Sequence, residues 1–178
     1  MRGTLIAGGM LAFAAAFGAA LWYFQTVYWY RPVALDPAAG IGVPMEGTSD
    51  PAEAAALAVT LVRLSDGQPE VIPVEDFRAT NAPTSPIKLR ACFRVPFSLA
   101  HLTEAYRLYE GATPLKGPGW FDCFDYAQLT RDLEDGTALA FLAAPDVADG
   151  VDRVVAVYPD GRAYMWQQLR PGAFADGG

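Results

Sequence analysis

Between Arg2 and Arg31 the chain carries no Asp, Glu, Lys, Arg or His. Few environments accept so long an uncharged stretch. As a helix rising about 1.5 Å per residue, its core from Thr4 to Phe24 can cross about 30 Å of hydrocarbon. The stretch closes on Trp22, Tyr23 and Phe24, and Tyr28, Trp29 and Tyr30 follow. Amphipathic rings favour the headgroup layer, so they mark where the helix leaves the lipid, and Pro32 discourages any continuation. We therefore expect residues 1–30 to form one transmembrane helix with an aromatic interface belt, and the lipid bilayer to be a partner. A cleaved signal peptide is the competing reading, because Ala14-Ala15-Ala16 and Gly18-Ala19-Ala20 offer small residues to a peptidase. The length of the run and the bulky rings at its end favour retention.

On a helical wheel the run is sorted by size. Gly8, Ala12, Ala15 and Ala19 form one stripe with Ala16 beside it, while Ile6, Met10, Phe13, Phe17, Leu21 and Phe24 lie opposite. Small residues let a second helix backbone approach closely, so the stripe is the expected packing face toward a transmembrane helix of another membrane protein. General alanine richness is the plainer explanation. Charge sets orientation weakly, with Arg2 and the α-amino group on one flank and Arg31 on the other.

Residues 31–52 are rich in Pro, Gly and Ala and read as an extended linker. Residues 53–170 are expected to form one globular domain, and 171–178 a short flexible tail. Within the domain, Leu57–Leu64 and Glu70–Val74 read as the arms of a hairpin turning at Ser65-Asp66-Gly67-Gln68. Lys88–Val95 alternates, with Leu89, Ala91, Phe93 and Val95 on one face and Lys88, Arg90, Cys92 and Arg94 on the other. Ser98 is positioned to cap a helix with Leu99, Leu102, Tyr106 and Tyr109 on one stripe, and Asp125 to cap a shorter one that ends at Gly136. Thr137–Leu142, Val151–Tyr158 and Arg162–Leu169 read as strands, the last two joined at Pro159-Asp160-Gly161. Helices and strands do not alternate regularly, so the fold class expected is α+β: the N-terminal helix plus a small domain of mainly antiparallel sheet and two helices.

Few residues carry a chemical signal. The formal net charge of -7 argues against nucleic acid as a partner. Cys92 and Cys123 fit neither a zinc pattern nor a C-x-x-C motif, so a structural disulfide is expected if the domain is exported. Such a bridge would bring Asp122 and Asp125 toward Arg90 and Arg94, which weakens the reading of Lys88, Arg90 and Arg94 as an anion site. His101 is the lone histidine and reads as a surface residue of its helix. Asp146, Asp149 and Asp152 lie beside Gly150 without the order of a calcium loop. No metal, cofactor or catalytic residue is assigned, and an enzyme is not expected. Trp120 and Phe121, on a loop shaped by Gly117, Pro118 and Gly119, are read as core anchors, with contact to a partner or ligand as the alternative.

Three stretches carry a resemblance: Ser85–Phe93, Pro118–Asp125 with its Trp-Phe-Asp-Cys-Phe-Asp string, and Asp152–Val157 followed by Pro159–Arg162. They resemble an uncharacterised family of alphaproteobacterial single-pass membrane proteins, a domain of unknown function whose members are sometimes labelled histidine kinases. That label needs a dimerisation hairpin and an ATP-binding domain, and this sequence has the motifs of neither. The resemblance implies that both cysteines belong to the family pattern and implies no reaction. Together these readings point to a bacterial inner-membrane protein with a cytoplasmic N-terminus and a periplasmic domain. Its expected role is a non-enzymatic accessory or assembly subunit of a membrane complex. The alternative is a membrane-tethered ligand-binding module with a pocket formed by Trp120, Phe121, Tyr164 or Trp166.

Overall fold

The structure, a computed structural model, describes residues 2–33, 35 and 57–173. It divides into two units, residues 1–30 and 31–178. In the first, α1 spans Arg2–Tyr23 and continues as one π-helical turn over Phe24–Tyr28. The Thr26 hydroxyl donates to the Trp22 carbonyl at 2.6 Å inside that turn. The window Leu5–Tyr28 has a mean hydropathy of 1.9, and none of it is buried. By length and composition it can cross a membrane.

The second unit is α+β, as expected. Its strands are β1 (Arg31–Val33), β2 (Thr60–Val62), β3 (Pro69–Val71), β4 (Glu75–Asn81), β5 (Arg90–Arg94), β6 (Leu139–Ala148), β7 (Val151–Val157) and β8 (Arg162–Leu169). Its helices are α2 (Leu99–Ala105) and α3 (Tyr126–Glu134). Six strands form one sheet in the order β1-β4-β5-β8-β7-β6, and β2 pairs with β3 in a separate ribbon. Every pairing between these strands is antiparallel.

The sheet is covered on both faces. Alternation puts Ala91, Phe93, Val155, Val157, Ala163 and Met165 on one side, packed with Leu61 of the ribbon and Leu102 of α2. The same strands send Cys92, Val154, Ala156 and Trp166 to the other side, against Phe121, Phe124 and Leu129. Double coverage explains why β7 reads as a nearly continuous apolar run. Asp125 caps α3 by accepting from Ala127 N–H and Gln128 N–H at 3.1 and 3.0 Å. At the β7–β8 turn, Gly161 has φ +83, and a Cβ there would lie 2.8 Å from the Val95 carbonyl oxygen, so only glycine fits.

The second cover is short on regular structure and is tied down locally. Cys92 and Cys123 form a disulfide with 6.3 Å between their Cα atoms. Arg90 is 2% exposed. Its guanidinium donates to the carbonyls of Ile87, Leu89, Leu115 and Lys116 and lies 5.7 Å from the Phe124 ring centroid. The expected approach of Asp122 to Arg90 or Arg94 takes a different form. Asp122 pairs with Arg78 at 3.1 Å, because Arg78 stands directly across from Cys92 in the β4–β5 register.

Five further features differ from the reading of the sequence. Arg31–Val33, assigned to the linker, is edge strand β1, where Pro32 can pair because an edge tolerates its missing N–H. The rest of the linker, apart from Leu35, lies outside the described residues. The start of the tail, Pro171–Ala173, is a turn. Strand β4 had no clear alternation; a register shift between Glu75 and Arg78, with Asp76 at φ 52, breaks its period. Helix α2 stops at Ala105 rather than running through Tyr106 and Tyr109. Tyr106 is extended because the flanking backbone bonds to β2 and its continuation: Leu64 N–H donates to Ala105 O, and Arg107 N–H to Val62 O. β6 runs to Ala148 through two register shifts that accommodate Pro145.

The disulfide closes a separation of 31 residues. Replacing both cysteines by alanine is expected to lower the unfolding free energy by about 3 kcal/mol. Guanidinium unfolding of the oxidised protein and of the double variant measures this directly; equal midpoints would contradict it.

Candidate functional site

The best-developed polar constellation lies where β6, the start of β7 and the end of β8 meet the extended segment after α2. Asp152, at the second position of β7, is 3% exposed. Four donors converge on its carboxylate. Arg170 offers Nε at 3.1 Å and Nη2 at 2.8 Å, the Tyr109 hydroxyl lies at 3.1 Å, and Asp146 N–H at 3.1 Å. Arg170 also reaches Asp146 Oδ1 at 2.6 Å. Asp146 sits at φ 48, a left-handed position that Asp tolerates better than most side chains. This local geometry aims its N–H at Asp152.

The electrostatics follow from these contacts. Burial pushes the Asp152 carboxyl upward, but the Arg170 hydrogen bond, the Asp146 N–H and the Tyr109 hydroxyl outweigh it and hold the group below the usual carboxylate range. Burial, then the neighbouring Asp152 charge, pushes the Tyr109 phenol up to about 12. Arg170 is held more firmly protonated by Asp152 and Asp146. A carboxylate saturated with donors is a poor general base, and a phenol this weakly acidic is a poor general acid. The network orients the chain more readily than it moves a proton.

Around it lies a cleft of about 740 Å³, whose lining includes Arg107, Leu108, Tyr109, Leu142, Asp146 and Arg170. A second cleft of about 400 Å³ shares Leu108, Tyr109 and Glu110 and has Leu133, Glu134 and Leu139 in its wall. Gly111 closes against Pro171 here. A Cβ at Gly111 would lie 3.1 Å from Pro171 Cγ, and its φ is +70.

The residues singled out from the sequence fall elsewhere or serve other ends. Phe121 is buried at 7%, whereas its neighbour Trp120 is 49% exposed, with ring centroids 6.0 Å apart and planes near perpendicular. Trp166 is fully buried and Tyr164 half-buried, and neither lines the two clefts described above. Asp146 and Asp152 both pair with the Arg170 guanidinium, at 2.6 and 2.8 Å, and no group of three or more metal-ligating side chains occurs among the described residues. His101 is exposed on α2, its N–H donating to Ser98 Oγ at 3.3 Å and its ring 5.3 Å from Phe97. Gly8, Ala12, Ala15 and Ala19 are exposed on α1, and a Cβ at Gly8 would meet nothing within 4 Å. The Tyr109–Asp152–Arg170 network escaped the sequence reading. Its members are 43 and 18 residues apart, and only the acidic spacing around Gly150 hinted at it.

Residues 59–175 match the family described as "Family of unknown function (DUF6446)", and the chain belongs to it. No curated protein and no solved structure matches the chain.

The Asp152 network makes a pH prediction. Its folded carboxyl lies below the unfolded value, so its stabilisation is complete above about pH 4 and is lost as pH falls through the folded value. Asp152→Asn is expected to lower stability by about 1–2 kcal/mol at pH 7, because the Asp146 N–H, the Tyr109 hydroxyl and the half-exposed Arg170 lose their shared carboxylate. Denaturant titrations from pH 7 to pH 2 should show that gap narrowing in acid; a constant gap would contradict the assignment.

Proposed function

We propose that this DUF6446 family member is a membrane-anchored, non-enzymatic accessory or assembly subunit of a membrane protein complex. One observation carries the reading. Leu5–Tyr28 carries no charged residue, has a mean hydropathy of 1.9 and is unburied, with Leu5, Ile6, Met10, Leu11, Phe13 and Phe17 each more than half exposed. A continuous apolar surface of this kind exceeds what a soluble monomer normally presents to water, and a bilayer satisfies it. The aromatic cluster of Tyr23, Phe24, Tyr28 and Trp29 then sits at the lipid boundary.

The rest of the proposal is layered on that anchor. The disulfide favours an oxidising compartment, hence a bacterial inner-membrane protein with its N-terminus cytoplasmic and its domain periplasmic. The open face at Gly8, Ala12, Ala15 and Ala19 suits a neighbouring transmembrane helix. The non-enzymatic part draws support from the Asp152 network, whose polar groups are committed to one another. A tethered ligand-binding module is the second reading. The clefts beside Leu108 favour it, in place of a pocket formed by Trp120, Phe121, Tyr164 or Trp166.

The tests address anchor and partner separately. The full chain is expected to stay in the membrane pellet after alkaline carbonate washing; release into the supernatant would contradict the anchor. Gly8→Leu with Ala12→Leu is expected to reduce co-purification of membrane partners in mild detergent several-fold while leaving pelleting unchanged. Undiminished co-purification would remove the packing face.

A further inference from the structure

The segment after α2 has one edge of its backbone occupied, and on the other edge Tyr106 N–H donates to Leu102 O while Leu108 stands open among the described residues. Leu64 N–H donates to Ala105 O at 2.9 Å and Arg107 N–H to Val62 O at 2.8 Å. Leu142 N–H donates to Arg107 O at 2.9 Å and Tyr109 N–H to Ala140 O at 2.8 Å. Residues 105, 107 and 109 therefore spend their polar groups on the β2 chain and β6. In an extended chain the backbone of alternate residues faces opposite sides, so Leu108 turns its N–H and C=O outward. No described hydrogen bond meets either, and the Leu108 side chain is 48% exposed. A short strand edge of this kind is a template for another chain.

The surroundings select the type of chain. The two clefts flank this edge and share Leu108, Tyr109 and Glu110. The smaller has apolar walls from Leu133, Leu139 and Ala140, and its charged lining residues are Glu110 and Glu134, both acidic. In the larger, Arg170 is neutralised by Asp146 and Asp152, while the exposed Arg107 adds a positive charge on that side, so the acidic selectivity rests on the smaller cleft. We propose that the Leu108 edge receives an extended segment of a partner protein by strand addition, and that this segment alternates basic and apolar side chains. The Leu108 N–H donates to a partner carbonyl, and its C=O accepts from a partner N–H. An apolar partner side chain covers Leu108, and a basic one reaches the Glu110–Glu134 rim. A second copy of this chain fits poorly, because it would bring the same acidic rim against itself. This surface lies on the outer domain, and the inference stands whether or not α1 packs on a neighbouring helix.

The test uses the full chain in zwitterionic detergent and a fluorescent peptide of about eight residues alternating Lys and Val, followed by anisotropy. Three comparisons accompany it: the same peptide N-methylated at alternate backbone nitrogens, a Glu/Val peptide, and the variants Leu108→Pro and Glu110→Gln/Glu134→Gln. Saturable binding of the Lys/Val peptide is expected, about tenfold weaker after N-methylation or in Leu108→Pro. A several-fold loss is expected in the double Gln variant, and no binding of the Glu/Val peptide. The N-methylated peptide probes the unaltered protein, so the result does not depend on how Leu108→Pro folds. Equal binding of the parent and N-methylated peptides, absence of saturable binding, or equal binding of the Glu/Val peptide would each overturn the proposal. So would a peptide-free dimer of the chain that Leu108→Pro dissolves, which would make the occupant a second copy.

Discussion

The bond between Cys92 and Cys123 ties the loop that covers one face of the sheet to strand β5. Strand β5 lies inside the sheet, and its two faces meet two different covers. The first is regular: the β2–β3 ribbon and α2, whose apolar residues interlock with Ala91, Phe93 and Met165. The second is mostly loop, with α3 at its end, and must hold Phe121 and Phe124 over Trp166. A loop has no ladder to fix it, so covalent and charge-assisted ties take over. The disulfide pins Cys123 to β5, and two residues away along the same strand face Arg90 gathers the carbonyls of Leu115 and Lys116. Neighbouring Arg78 takes Asp122 from the adjacent strand. Three consecutive same-face positions across β4 and β5 thus organise the cover.

Toward the β6 side of the sheet the organising group is Asp152. It ties the β6–β7 hairpin to the end of β8 through Arg170 and to the segment after α2 through Tyr109. Because that segment also pairs with β2 and β6, the network fixes the strip of chain whose Leu108 backbone has no hydrogen bond among the described residues. In the proposed reading, the domain surface meets water and a partner polypeptide, and the apolar surface of α1 meets lipid.

Much of this fold was legible in local signals. Alternation in Lys88–Val95 put Cys92 on the face opposite Phe93, Ser98 and Asp125 announced helix starts, and Pro159-Asp160-Gly161 announced the last hairpin. The failures share a cause: tertiary contacts overruled local periodicity. Tyr106 and Tyr109 keep helical spacing, yet backbone bonds to the β2 chain and β6 draw them out of α2. β4 hides behind a bulge, and β1 behind a proline that only an edge strand accepts. Arginine roles were the least legible. Arg90 looked like a surface cation on an alternating strand and is instead the buried clasp of a loop, because the second face of the sheet is also interior. The Asp152 network joins residues too far apart in sequence for any spacing rule to find.

In the function proposed above, an apolar helix holds in the membrane a domain whose fold is closed by the Cys92–Cys123 disulfide on the far side. Labelling of intact cells with a membrane-impermeant maleimide, before and after an impermeant reductant, tests this most directly. The account predicts no labelling of Cys92 or Cys123 before reduction and labelling of both, without lysis, after reduction under mild denaturation. Labelling that needs lysis, or that proceeds without reductant, would contradict it.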